Sequence, residues 1–297
     1  MNTGFDDARP WGTHAPKGLT AWLIRLCHAL PGGWRFGYRL TRLFRGPIKR
    51  PPARPYDVRV LGMSLRLLNR GNFCEMTALF APQYYDVPEL DWLGKQLAGG
   101  GTFVDIGGNI GLYSLAMAHR LGERIDIHTV EPDTELSARM AFNARHNGLK
   151  VNLAPVALSD HEGVATLRVH PRQRGQNSLQ DGACDHGPDS RNVPVTTLLA
   201  LCQSRDIAEI TAMKIDVEGH EPRILGHFFD HAPETLWPAA LLIEHVDDGG
   251  LMQRLLGPLG YREEGRTVAQ PAAQARADHS PLTLRSKRSR LRSSDAF

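Results

Sequence analysis

The segment Thr102-Phe103-Val104-Asp105-Ile106-Gly107-Gly108-Asn109-Ile110-Gly111 constrains the chain more than any other. A short apolar run carries a carboxylate two residues before a glycine, and the glycines lead directly into a helical pattern over residues 110–121. Strand, glycine turn and helix in succession leave the backbone open to close approach by a ligand. The alternation continues downstream. Residues 125–130 read as a strand ending at Glu131-Pro132, and Asp133 caps a helix that Asn147-Gly148 closes. Strands follow at 151–158, 163–169, 210–217 and 239–246, and helices at 197–204, 221–229 and 251–259. This order predicts an α/β chain with a doubly wound, mostly parallel sheet and helices on both faces. In such a sheet ligands sit beyond the carboxyl ends of the strands. The glycine loop, Glu131, residues 216–218 and Glu244 all fall at such ends.

The 297 residues suffice for one sizeable domain with extensions. No apolar run reaches the roughly 18–20 residues that span a bilayer. The four cysteines, Cys27, Cys74, Cys184 and Cys202, are widely spaced and suggest neither a zinc site nor a disulfide framework. A cytoplasmic setting, with no secretory signal, is the expectation.

Charge is distributed unevenly. Residues 1–59 hold 11 Lys/Arg against 3 Asp/Glu, residues 271–297 hold 6 against 2, and the body between them is acidic. Three parts are predicted: a basic extension over 1–55, a main domain over 56–270 with a leading hairpin (56–61 and 64–68) and a helix at 91–98, and a disordered basic tail over 271–297. Residues 1–18 are read as disordered. Leu19, Trp22, Leu23, Leu26 and Leu30 mark one face of an amphipathic helix. Residues 171–192 read as a long loop.

Several ligands suit a glycine loop, and so does a tight turn with none. A dinucleotide fold calls for Gly-x-Gly-x-x-Gly, so that a pyrophosphate meets the helix N-terminus. Here Asn109 takes the second glycine's place and the spacing is one residue short. Asp105 would repel a pyrophosphate, whereas the ammonium and sulfonium of S-adenosylmethionine favour a nearby carboxylate. Glu131, about 20 residues after Gly111, is placed to accept hydrogen bonds from ribose hydroxyls. S-adenosylmethionine is therefore the expected cofactor.

Lys214, Asp216 and Glu218 alternate through Met213-Lys214-Ile215-Asp216-Val217-Glu218-Gly219-His220-Glu221. A central parallel strand is normally apolar, and period-two geometry puts the three on one side. Buried charge is costly unless paired or functional. One reading is a Lys214–Asp216 bridge fixing the strand end; the other is a catalytic cluster facing methyl donor and acceptor.

Together with Glu131-Pro132, Ala157-Leu158-Ser159-Asp160 and Val195-x-Thr197-Leu198, these segments resemble the FkbM-type methyltransferase family over residues 101–261. The Lys-x-Asp-x-Glu-Gly-x-Glu piece is rather specific, while the glycine loop is common to many methyltransferases. The family often has Ala where Gly108 stands. The resemblance implies a class I methyltransferase (Rossmann-like) fold and transfer to a hydroxyl oxygen, often on a sugar or natural product. It implies that Asp105, Gly107, Asn109 and Gly111 contact the methionine part, that Glu131 takes the ribose, and that Ala157 to Asp160 lie near the adenine.

A hydroxyl acceptor needs its proton removed. Asp216 or Glu218 is the expected base, with Lys214 orienting it or lowering charge repulsion. His220 is a second candidate, unless it is a surface residue at a helix start. Glu244-His245 is placed to line the acceptor pocket. A divalent metal on Asp216, Glu218, His220 and Glu244 is a further option, though none is expected. The expected acceptor is a small molecule, glycan or glycolipid, with peripheral membrane contact through the basic N-terminal segment set against simple packing of its helix on the domain. The rivals are an NAD-type oxidoreductase, a methyltransferase acting on nucleic acid or protein, and a non-catalytic S-adenosylmethionine-binding protein.

Overall fold

The computed structural model describes residues 4–32, 35–170, 174, 177–181, 190–244, 252–266 and 282–286. Two helices come first, α1 (Gly18–Ala29) and α2 (Arg35–Arg45), then a hairpin, β1 (Pro55–Val60) and β2 (Met63–Leu68). Helices α3 (Phe73–Phe80) and α4 (Val87–Gln96) lead into β3 (Gly101–Ile106), α5 (Leu112–Leu121), β4 (Ile125–Val130), α6 (Thr134–His146) and β5 (Asn152–Ala154). Strands β6 (Ala157–Ser159), β7 (Gly163–Arg168), β8 (Ser178–Asp181) and β9 (Ser190–Thr197) follow. The chain then forms α7 (Leu198–Ser204), β10 (Ala212–Ile215), α8 (Glu221–His231), β11 (Ala240–Ile243), β12 (Tyr261–Arg266) and β13 (Leu282–Ser286).

The central sheet has the order β12-β13-β11-β10-β3-β4-β5. Strands β11, β10, β3, β4 and β5 are parallel neighbours, and β13 runs antiparallel to both β11 and β12. The expected doubly wound, mostly parallel sheet is therefore present. Both of its faces are covered. Phe103, Ile127, Ala212 and Leu242 pack under α4 and α5, whereas Val104, Ile106, Met213, Ile215 and Leu241 pack under α7 and α8. The winding reverses between β3 and β10, which opens a crevice at their carboxyl ends.

Several expectations need correction. Residues 4–14 are ordered against the hairpin rather than disordered. Fully buried Arg66 pairs with Asp57 at 2.7 Å and donates to the carbonyls of Asp6, Arg9 and Pro10, while Trp11 stacks on His146. A guanidinium taken out of water requires many acceptors, and the N-terminal backbone supplies them. Helix α1 buries Leu23, Ile24 and Cys27; Leu19 and Trp22, expected on one apolar face with Leu23, are exposed.

The strand expected over 151–158 splits into β5, in the central sheet, and β6, in a second sheet of order β6-β9-β7-β8. Part of the expected loop at 171–192 is thus β8 and the start of β9. The tail contributes β13, because the unpaired edge of β11 takes up an apolar segment, Leu282 to Leu284. In place of a helix over 251–259, Met252–Leu256 form a single π-helical turn.

Helix α3 escapes the periodicity reading because it is buried nearly all round. Its start was visible: Asn72 caps it by accepting from the Glu75 N–H, the spacing of a capping box.

Candidate active site

Gly107 takes the backbone from β3 into the crevice with a φ of +74°. A Cβ there would lie 1.9 Å from the Asp216 carbonyl oxygen, so only glycine lets β3 and β10 approach so closely. Asn109 also has a positive φ, +54°. Its Oδ1 accepts from the Ile110 N–H at 2.8 Å and from Asn72 Nδ2 at 2.6 Å, which offsets the strain of that conformation. The turn presents the Asn109 N–H to Glu131 Oε2 at 2.8 Å, and Glu131 Oε1 accepts from the Asp133 N–H at 2.8 Å. Two adjacent strand ends are thereby tied through one carboxylate. Burial raises the pKa of Glu131 to about 7, and the two backbone donors offset only part of that effect.

Two clefts flank this turn. The first is an open cleft beyond the ends of β3 and β4. Gly107, Asn109, Glu131, Ala157, Asp216, Glu218 and His220 reach it, and Leu136, Val156, Leu158, Leu167 and Leu179 form its apolar side. Arg174 and Asn177 close one end by binding Asp133 Oδ2 at 2.9 and 3.1 Å. The second is lined by Phe73, Tyr84, Tyr85, Tyr113, Asp86, Lys214, Asp216 and Glu244, among others. Gly107, Asn109 and Asp216 belong to both clefts and form the wall between them.

The structure brings most of the predicted site residues together, but not all. Asp105, Gly111 and Asp160 line neither cleft. Asp105 is fully buried behind the turn, accepting from Ser114 Oγ at 2.6 Å. Gly111 supplies the left-handed N-cap of α5 against Met140. Asp160 pairs with Arg223 and His161, and these hydrogen bonds hold its carboxyl well below the usual range.

The expected alternation of Lys214, Asp216 and Glu218 on one side is correct only for the first two. Lys214 Nζ lies 3.5 Å from Asp216 Oδ2, 3.8 Å from Asp105 Oδ1 and 5.1 Å from the centre of the Tyr113 ring. Strand β10 ends at Ile215, and Glu218, with a φ of +53°, turns away toward the first cleft. Burial pulls the Lys214 pKa down, but Asp216, Asp105 and Glu244 outweigh it and leave the ammonium above its ordinary value. Burial pushes Asp105 up, with Lys214 opposing.

His220 Nε2 lies 3.0 Å from Ser159 Oγ at the start of α8. Glu244 reaches the second cleft; His245 lies outside the described residues. Among the described residues no three His, Cys, Asp or Glu side chains are grouped to hold a metal ion. The sequence reading missed Asn72, Phe73, Tyr84, Tyr85, Asp86 and Tyr113, which come from elements ahead of or beside the glycine loop; apart from the helix cap at Asn72, they carry no motif.

The strand order, with the glycine turn at its switch point, defines the class I methyltransferase fold. Residues 105–237 match the sequence family described as the methyltransferase FkbM domain, and the protein is an S-adenosylmethionine-dependent methyltransferase. No curated protein matches the chain by sequence.

Solved structures of similar architecture include a ribosomal protein L11 methylase from Lactobacillus delbrueckii subsp. bulgaricus, at 12% identity over 68% of this chain and 79% of that one, with a TM-score of 0.40. Another is an O-methyltransferase from Bacillus cereus in complex with SAH, at 12% identity, 67% and 79% coverage and a TM-score of 0.41. A third is a putative SAM-dependent methyltransferase from Streptococcus mutans, at 8% identity, 80% and 56% coverage and a TM-score of 0.46.

Proposed function

We propose that the enzyme methylates a hydroxyl oxygen on a sugar, glycolipid or related polyhydroxylated natural product, with Asp216 as the proton acceptor. The observation that carries this reading is the position of Asp216 in the wall common to both clefts.

The chemistry of the first cleft suits the methyl donor. Glu131, a buried carboxylate held by two backbone N–H groups, has lone pairs left for ribose hydroxyls. The leucine-rich side suits an adenine ring, and Asp216 and Glu218 suit the cationic end. The second cleft suits the acceptor: tyrosine rings for the faces of a sugar, and Asp86, Asp216 and Glu244 to accept from its hydroxyls.

Bound S-adenosylmethionine supplies an electrophilic methyl carbon on a cationic sulfur. Asp216 takes the acceptor's hydroxyl proton as the new C–O bond forms. Lys214 stays protonated and so is no base; it holds the Asp216 carboxylate in place and limits its repulsion with Asp105. Tyr85 and Tyr113, buried beside the cluster, keep water from the reacting oxygen.

The test is turnover of Asp216→Asn and Glu218→Gln, with S-adenosylmethionine binding measured separately by calorimetry. A radiolabelled methyl-transfer screen over glycans, glycolipids and secondary metabolites supplies the acceptor. Asp216→Asn should bind the donor and lose about 100-fold or more in turnover, the usual contribution of a positioned base. If Asp216→Asn keeps full activity, the assignment of the base is wrong; if Glu218→Gln alone loses turnover with donor binding intact, Glu218 is the base instead.

A further inference from the structure

The outer surface of α1 and α2 has features that neither clefts nor core explain. Four large apolar side chains stand out from it: Leu19 is 68% exposed, Trp22 57%, Phe36 55% and Leu43 68%. Their arrangement is regular. Leu19, Trp22 and Leu26 follow at i, i+3 and i+7 along α1, and Phe36, Leu40 and Leu43 at i, i+4 and i+7 along α2. Leu40 and Leu26 are half-buried, so each helix carries an outward apolar stripe in addition to the inner face formed by Leu23, Ile24 and Cys27 or by Tyr38 and Thr41.

Charge around the stripes is of one sign. From residue 8 to residue 56 the sequence has ten Lys or Arg and no Asp or Glu. Arg25, Arg39 and Arg42 are exposed on the same two helices. Lys49 is pulled below its ordinary pKa first by burial and further by its neighbours Arg45, Arg70 and Arg42.

We propose that the α1–α2 hairpin is a docking platform for an anionic lipid bilayer surface. Exposed Trp, Phe and Leu between arginines match an interface whose outer layer is negative and whose interior is apolar. A nucleic acid would satisfy the arginines but leave the apolar stripes in water, whereas an anionic bilayer meets the arginines at its surface and the stripes just beneath it. No helix among the described residues is long and apolar enough to cross a membrane, so the contact is peripheral.

The hairpin is anchored firmly enough to transmit it. His28 Nε2 lies 2.8 Å from the Leu79 carbonyl, Gln83 Nε2 donates to the Cys27 carbonyl at 2.8 Å, and Tyr84 Oη donates to the Pro31 carbonyl at 2.7 Å. Tyr84 also lines the second cleft, so docking holds that cleft one side chain away from the lipid-facing hairpin. The platform stands whether or not the acceptor is itself a lipid.

The test is co-sedimentation of the full chain with phosphatidylcholine vesicles with and without phosphatidylglycerol. Binding to the anionic vesicles alone, weakened by salt, is expected. Each basic side chain near an anionic surface is worth about fivefold in partitioning, so Arg39→Glu with Arg42→Glu should weaken binding by at least about 25-fold. Trp22→Ser with Leu43→Ser should weaken it by about 100-fold or more, the fold-change that two buried apolar side chains supply. Unchanged thermal melting and S-adenosylhomocysteine binding verify that the variants are folded.

The proposal is overturned if the folded chain stays in the supernatant with anionic vesicles, or if the substitutions leave binding unchanged. It is equally overturned if sedimentation equilibrium shows a dimer that the same substitutions dissolve, because a second copy then covers the stripes.

Discussion

Glu131 gives a pH dependence with a definite sign. Burial raises its carboxyl from an ordinary 4.5 to about 7, against the pull of the Asp133 and Asn109 N–H groups. A ribose hydroxyl donates to the carboxylate, not to the acid, so the cofactor selects the ionised form. With a pKa near 7, roughly a tenth of the protein is ionised at pH 6 and roughly nine tenths at pH 8. Affinity for S-adenosylhomocysteine should therefore rise about tenfold between those values. Stability of the unliganded protein should move the opposite way. A raised carboxyl contributes its full stability below about 4.5 and loses it as pH rises through about 7, on the order of 3 kcal/mol.

The control is Glu131→Gln. Its amide accepts from only one of the two N–H groups now bound at 2.8 Å, and the other faces an NH₂ group, costing about 1–3 kcal/mol. The variant should bind more weakly and lose the Glu131 component of the profile, leaving only titration of the ligand's own amine. Calorimetry at pH 6, 7 and 8 on both proteins isolates that component as their ratio. If the two affinities change in parallel with pH, the ribose assignment is refuted.

Other outcomes follow from the same geometry. Gly107→Ala should abolish donor binding or folding, since its Cβ would lie 1.9 Å from the Asp216 carbonyl; calorimetry and thermal melting report which. Gly108→Ala puts a Cβ 2.2 Å from Thr129 Cγ2, so it should cost about 1–3 kcal/mol by overpacking, and Thr129→Ser, which keeps the hydroxyl bonded to Ser114, should recover much of it in denaturant unfolding. Lys214→Met leaves Asp105 and Asp216 without their shared cation and should destabilise by about 3–5 kcal/mol, whereas Lys214→Arg should lose turnover more than stability. Arg66→Met should release residues 4–14, seen as faster proteolysis ahead of the hairpin.

Much of the site was legible because its residues are tied to local geometry. Gly107 has to be glycine for the turn, Glu131 has to end the next strand to reach the Asn109 N–H, and Asp216 follows Lys214 at period two. Glu218 broke the pattern because β10 stops at Ile215, and alternation has no meaning past a strand's end. Asp105 seemed to belong to the ligand by its place in the motif. Its side chain instead turns under the sheet to Ser114 and Lys214, a choice made by the register of β10 on β3.

Alternating apolar strands and helices, with glycines and acids at the strand ends, determined by themselves the doubly wound sheet and the edge of it at which the glycine turn and Glu131 meet. These are local properties: side-chain period, turn conformation and charge at a chain reversal. Tertiary structure alone decided what lines the second cleft. Tyr84 and Tyr85 come from the turn between α3 and α4 and Tyr113 from α5, and only packing of these elements over the sheet brings them beside Lys214 and Asp216. It also decided which side of α1 meets solvent. An amphipathic pattern shows that a helix has an apolar side, but the element it packs against chooses which apolar residues are covered and leaves Leu19 and Trp22 outside.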